Sequence, residues 1–375
     1  MTALKVVHLS FHLDIQRREP QELLAAWPTL VETAAAVART GATVDVVQAC
    51  HHDARLSVDN VNFHFVRGTP PFAKLSLARR LIDCVRLLRP DVVQIAGLGP
   101  PLQTRALSRR LPSTPVVVQD HAGVPPSGVR KSVRRWGLSQ VDAALFTARE
   151  QAEPYFSAGV VRPDLPIFEA LEGSSSFTSG NQAEARRRTG LTGDPCLLWL
   201  GRLDANKDPL SVLDSVRLAA RELPGVKLFC CFSDGELEPQ VRATIEADDR
   251  LKRIVHLLGK RSHAEIETLC RAADFLVQGS WREGSGYAVI EALACGLPPI
   301  ITDIPSFRKM TRNSSVGALS PPGDAAAMAR NLVDLANGNR SQLRSAARCQ
   351  FEQELSYDAI GRDLRHAYEQ VRAAR

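Results

Sequence analysis

The sequence predicts an α/β chain made of two successive domains, each built around a parallel sheet. Three observations carry that reading. The chain has 375 residues, more than the roughly 100–200 of one typical domain. Short β-branched runs alternate with amphipathic helical stretches, which is the pattern of βαβ units. The alternation stops near the middle, in a polar stretch rich in glycine and serine, and then starts again.

The elements follow in order. Residues 4–9 (Leu-Lys-Val-Val-His-Leu) form a buried first strand. Residues 23–39 carry apolar side chains at helical spacing and end at Gly41, a C-cap position. Residues 43–48 are a strand, residues 75–88 a helix closed by Pro90, and residues 91–95, 115–119 and 143–146 are further strands. The break spans residues 171–193 and holds Gly173-Ser174-Ser175-Ser176 and Ser179-Gly180, a hinge-like composition. Strands at 196–200, 227–232, 254–258, 275–278 and 299–302 then alternate with helices at 209–222, 236–247, 264–273 and 286–294. This reading divides the chain into residues 1–172 and 173–356, two Rossmann-like domains facing a cleft. A closing helix at 357–373 is long enough to pack back on the first.

Composition narrows the function. With 44% hydrophobic and 23% charged residues, the chain is neither collagen-like, disordered nor mucin-like. Its 47 basic residues against 41 acidic ones give a formal charge of +6. The basic residues are spread out and only 6% of the chain is aromatic, so a nucleic-acid partner is not expected. A cleft for an anionic small molecule makes better use of the surplus. Eight cysteines are scattered without a C-x-x-C pair, which argues against a disulfide scaffold or structural zinc and for a reducing cytoplasm. The apolar run near the start is too short for a signal-peptide core, and no segment approaches the roughly 20 apolar residues of a membrane span. A soluble, cytoplasmic protein is expected.

In open parallel sheets, ligands bind beyond the carboxyl ends of the strands. The loop after the strand at 196–200 reads Gly201-Arg202-Leu203-Asp204-Ala205-Asn206-Lys207-Asp208-Pro209. Its glycine allows a tight turn, and Arg202 and Lys207 are placed to converge on one anion before a helix N-terminus that also favours negative charge. On spacing alone the two cations read equally as solvated surface charges. The second segment is Glu283-Gly284-Ser285-Gly286-Tyr287, followed by a helix carrying Glu291 and a Gly296-Leu297-Pro298 stop. Its turn directs the N–H groups of Ser285 to Tyr287 at the cleft, which suits a diphosphate. Glu283 and Glu291 would reach different ends of one ligand. The bland alternative makes Glu283 a first-turn acid complementing the helix dipole and Glu291 an exposed helix residue. Ser285 is not a nucleophile elbow, because the G-x-S-x-G spacing is missing.

These residues resemble the retaining nucleotide-sugar glycosyltransferases of family four, which have the GT-B fold. The resemblance rests on Gly201 to Lys207 and on Glu283 and Glu291 in a frame of glutamate, seven residues, glutamate, with Gly284, Gly286 and Gly296-Leu297-Pro298. It covers the second domain, extends to residues 351–368 as the closing helix, and is looser in the first domain. It implies that Arg202 and Lys207 neutralise the donor diphosphate, the work a metal does elsewhere. It also implies that Gly284, Ser285, Gly286 and Tyr287 hold the distal phosphate and sugar. Glu283 would bind sugar hydroxyls and Glu291 the ribose hydroxyls, with Lys260 on the base-contacting loop at 259–263. In the first domain, His121 in Gln119-Asp120-His121-Ala122-Gly123 would contact the donor sugar or the acceptor; otherwise it is a loop histidine. No Asp-x-Asp occurs, so no metal or other cofactor is expected.

Two positions depart from the family. The loop after the first strand, residues 10–16, has no glycine pair, and residues 93–97 lack a histidine often present there. The expected partners are a nucleotide-sugar donor and an acceptor hydroxyl on a saccharide, lipid-linked or small molecule. The competing functions are a nucleotide-sugar epimerase of the same fold and a non-catalytic nucleotide-sugar-binding subunit. A nicotinamide dehydrogenase is disfavoured, because no glycine follows the first strand. The basic stretch at 130–136 reads first as a solvated helix face, with anionic lipid as the alternative partner.

Overall fold

The computed structural model describes residues 3–68 and 73–375. It forms two compact units, one of Met1–Ser174 with Tyr357–Arg375 and one of Ser175–Ser356.

The first unit is built on eight strands: β1 (Lys5–Ser10), β2 (Thr43–Cys50), β3 (Ala54–Val58), β4 (Val61–Arg67), β5 (Val92–Ala96), β6 (Val116–Gln119), β7 (Ala143–Phe146) and β8 (Ile167–Glu169). Their order is β3-β4-β2-β1-β5-β6-β7-β8. Every pairing is parallel except β3 with β4. The central strands are runs of valine, isoleucine and leucine because helices cover both faces of a parallel sheet, and Val6, Val7, Val46, Val93, Ile95 and Val117 are all fully buried.

Some features differ from the sequence expectation. The β3–β4 hairpin was not expected; it turns at Asp59 and Asn60, whose φ values of 50° and 62° make the two-residue turn that matches strand twist. The helix expected at 23–39 is two, Pro20–Ala26 and Pro28–Arg39. Pro28 has no N–H to continue the first helix but suits the first position of the next. Ile254 ends a short helix, Asp249–Ile254, instead of opening a strand. The helix expected at 357–373 is present, but the stretch 351–368 that resembles a closing helix is interrupted. Phe351–Leu355 is a π turn belonging to the second unit, extended Ser356 breaks it, and the helix Tyr357–Ala373 belongs to the first. That helix lies on Pro28–Arg39 at Gly361, where a Cβ would stand 2.4 Å from the Ala36 carbonyl oxygen.

The second unit has six strands: β9 (Cys196–Arg202), β10 (Lys227–Ser233), β11 (Val255–Gly259), β12 (Phe275–Gln278), β13 (Pro299–Thr302) and β14 (Ala318–Ser320). They are all parallel, in the order β11-β10-β9-β12-β13-β14. The direction of winding reverses between β9 and β12, and in the first unit between β1 and β5. Such switch points leave a crevice beyond the strand ends where ligands bind. No helix of the described residues is long and apolar enough to cross a membrane.

Candidate functional site

β9 and β12 are neighbours, paired through Leu197 with Phe275 and Leu198 with Leu276. Their following loops therefore start side by side although they are distant in sequence. Hydrogen bonds join the two loops. The Trp281 N–H donates to the Asn206 carbonyl at 2.8 Å, the Asn206 amide donates to the Arg282 carbonyl at 2.9 Å, and the Trp281 indole donates to Asp208 at 3.3 Å. Gly279 permits the approach, since a Cβ there would lie 2.8 Å from the Asp208 carbonyl oxygen.

Within this junction the Lys207 ammonium pairs with the Glu283 carboxylate, both side chains being mostly buried. The Lys207 stem runs past Gly201, where a Cβ would lie 3.6 Å from its Cδ and 3.3 Å from the Trp199 ring. Arg202 is elsewhere. Its side chain is 69% exposed and reaches Asp204 at 3.4 Å. The expected convergence of the two cations is thus absent here: Lys207 is held by Glu283, while Arg202 at the end of β9 points to solvent beside an acid of its own loop.

Gly284, Ser285 and Gly286 are buried and Tyr287 is exposed. Gly286 caps the helix Tyr287–Ala294 with φ 55°, a left-handed conformation that glycine adopts without penalty. A Cβ at this residue would stand 2.8 Å from the Phe307 ring. The Ser306 hydroxyl donates to the Glu283 carbonyl at 3.3 Å and so braces the turn. The N-terminus of a helix favours negative charge.

Glu291 lies on the same helix, 17% exposed, with its Oε1 3.0 Å from His263 Nε2. Burial raises its pKa, and the His263 hydrogen bond acts in the opposite direction. His263 begins the helix His263–Ala272 and packs against Phe177 at 4.4 Å between ring centroids. Lys260 sits on the exposed loop that leads to it. His263 is the residue that spacing did not single out; its link to Glu291 crosses 28 positions.

In the first unit, His121 follows β6. Its Nδ1 lies 2.7 Å from Glu172 Oε2, with the histidine 43% exposed and the glutamate 14%. Burial disfavours the imidazolium, but the Glu172 hydrogen bond and charge, helped by Asp120, outweigh it and raise the pKa. Asp120 is buried and accepts from the Tyr155 hydroxyl at 3.1 Å and the Gly123 N–H at 3.2 Å, and burial raises its pKa. Asp120 thereby ties down the loop, and Ala122 next to it holds φ 53°, an unfavourable conformation for a residue with a Cβ. Glu172 carried no sequence signal, because it lies in the irregular hinge-like stretch.

Beneath this pair runs a buried polar chain. His8 Nε2 lies 3.0 Å from the Tyr368 hydroxyl, which donates to Gln94; the Gln94 amide donates to Gln119 at 2.7 Å, and Gln119 donates to the Leu171 carbonyl at 3.2 Å. Burial holds the His8 pKa down at about 4, so this histidine is neutral. The chain ties the closing helix, β1, β5 and β6 to the residue before Glu172.

Two doubly wound parallel-sheet units, one carrying a charged, glycine-rich turn at its switch point, have the architecture of the GT-B fold. Comparison with known proteins specifies it further: the family described as Glycosyl transferases group 1 matches residues 181–350, and Glycosyltransferase Family 4 matches residues 28–163. The two matches together support a family-4-like glycosyltransferase. It is 27% identical to the GDP-mannose:cellobiosyl-diphosphopolyprenol alpha-mannosyltransferase of Xanthomonas campestris, over 84% of this chain and 83% of that enzyme. It is 30% identical to the phosphatidyl-myo-inositol mannosyltransferase of Mycobacterium leprae, over 52% of this chain and 51% of that one. The aligned part is also only 64% of the Xanthomonas oryzae counterpart of the first enzyme. Among solved structures, Anabaena Alr3699/HepE in complex with UDP superposes with a TM-score of 0.71 at 16% identity, covering 98% of this chain and all of that one.

Proposed function

We propose that the chain moves a sugar from a nucleoside-diphosphate sugar to an acceptor hydroxyl with retention of anomeric configuration and without a metal ion. One observation carries the reading: the Lys207–Glu283 pair stands beside the buried Gly284–Gly286 turn at the β9/β12 switch point. As the glycosidic bond breaks, the leaving diphosphate gains charge. Lys207, with Arg202 swinging in from solvent and the helix N-terminus after Gly286, would stabilise that charge more than the ground state. Lys207 would exchange part of its contact with Glu283 for the phosphate, which frees Glu283 to accept from sugar hydroxyls. Glu291 would take the ribose hydroxyls, Tyr287 and Ser285 the sugar side of the turn, and Lys260 the base. His121, held by Glu172, is the first unit's proposed contact to sugar or acceptor.

The relatives named above are transferases, which favours transfer over epimerisation or mere binding. Their names also support an acceptor carried on a lipid, in the first case a diphosphopolyprenol. We place the reaction in the cytoplasm, whose reducing conditions suit the eight free thiols.

The test is a thermal-shift screen against nucleotide diphosphates and nucleotide sugars, GDP-mannose and UDP-glucose among them, in the presence of a chelator. Selective stabilisation that Arg202→Ala and Glu291→Ala both abolish supports the donor site. A folded protein that shifts with none of them overturns it.

A further inference from the structure

We propose that the helix Gly128–Leu138 docks this protein on an anionic lipid bilayer. The argument starts from rotation. Val129, Val133 and Trp136 stand at i, i+4 and i+7 and so share one face of the helix. A surface helix of a globular protein turns such a stripe inward. Here it faces out: Val129 is 81% exposed, Val133 38% and Trp136 46%. The opposite side is the packed one, with Leu138 buried there and Gly137 buried on the flank between. Gly137 sets the rotation, because a Cβ there would stand 2.3 Å from Pro101 of the neighbouring helix Pro101–Arg110. Val124, ahead of the helix, and Leu102, on that neighbour, are each 55% exposed and add apolar surface.

Charge selects the partner. Arg130 and Arg135 are exposed and flank that stripe, while Lys131 and Arg134 are half-buried on the far side of the same helix, and no acidic residue occurs from 121 to 141. The Arg105 guanidinium adds a fifth cation, 5.2 Å from the centre of the Trp136 ring. An outward apolar stripe with tryptophan, flanked by cations, is the construction of a helix that lies in a membrane interface. Each basic residue near an anionic surface strengthens attachment by about fivefold. A second copy of the chain would bring the same positive charge to the contact and be repelled. The inference deepens the lipid-linked acceptor reading above, since docking brings the enzyme to such an acceptor, but its test needs neither donor nor transfer.

The experiment is co-flotation of the full chain with vesicles of phosphatidylcholine alone or mixed with phosphatidylglycerol, at low and high salt. The wild type is expected to float with the mixed vesicles only, to detach as salt screens the charges, and to show a blue shift of tryptophan emission. Val129→Ser/Val133→Ser/Trp136→Ser and Arg130→Glu/Arg135→Glu should each lower the bound fraction at least tenfold. All five side chains are exposed or nearly so, and unchanged nucleotide thermal shifts in both variants would show that fold and donor site are intact. The proposal is overturned if the wild type does not float, if it floats equally with both vesicle types, or if both variants float like it. It is also overturned if the triple substitution abolishes self-association or duplex-DNA binding in a protein that ignores vesicles. A failed donor screen leaves the flotation result readable, so the two readings fail separately.

Discussion

Lys207 and Glu283 form an ion pair across 76 positions of sequence. The two meet because β9 and β12 are adjacent at the reversal of the sheet and because Trp281, Asn206 and Asp208 bind their loops together. Under the proposed function, a cation held next to a buried glycine turn, with a carboxylate as its resting partner, would be a preformed site for a charged leaving group.

Removing that cation tests the chemistry. Lys207→Met should lower kcat on the order of 10²–10³-fold, the usual cost of losing one preorganised charge donor. Glu283→Gln should lower it as well, while leaving nucleoside-diphosphate affinity largely intact, because its proposed contacts are to the sugar. Single-turnover kinetics with matched nucleotide titrations separate the two. Equal loss of nucleotide affinity in both variants would remove the sugar-binding role of Glu283.

Gly286→Ala tests the turn. The substitution places a Cβ in a left-handed conformation, costing about 1–2 kcal/mol, and 2.8 Å from the Phe307 ring. Chemical denaturation should show lower stability, and nucleotide affinity should fall because the helix start must move. Wild-type affinity in the variant would place the phosphate elsewhere.

The buried polar chain predicts an acid-side loss of stability. His8 takes a proton at about 4 in the folded protein against an ordinary 6.5. Between those values the unfolded chain binds more protons, so stability falls as pH drops through that window, by roughly 3 kcal/mol in all. His8→Gln should flatten this slope in urea titrations at several pH values. Tyr368→Phe should cost about 1–3 kcal/mol at neutral pH, since it strips His8 and Gln94 of a buried partner.

His121 has the opposite sign. Its folded pKa is raised, chiefly through Glu172 acting against burial. The pair's contribution to stability is complete below 6.5 and disappears as pH rises through the raised value. Glu172→Gln should remove that alkaline-side dependence, visible as a Tm that no longer declines as pH rises above the ordinary histidine value. It should also lower kcat if the pair positions His121 for the sugar or acceptor. An unchanged pH profile in Glu172→Gln would dissolve the pairing.

Much of the second unit was legible in the sequence for a local reason. Glu283, Gly284, Gly286 and Glu291 occupy one continuous strand–turn–helix run, and glycine at a left-handed cap can be read from its neighbours. The β3–β4 hairpin was also readable in principle from Asp59-Asn60 between Val58 and Val61. The split at Trp27-Pro28 was readable as well, because proline carries its own steric rule.

The sequence by itself therefore determined the α/β alternation, the two-part organisation and the residue types that face the switch point, since these depend on side-chain periodicity and local backbone preference. Only the tertiary structure decided the partners. Lys207 rather than Arg202 meets Glu283, His263 meets Glu291 and Glu172 meets His121 because strand order brings separate loops together. The helix Gly128–Leu138 turns its apolar stripe outward because Gly137 alone fits against Pro101. Contacts of this kind depend on packing between distant segments, which the spacing of residues along a chain does not encode.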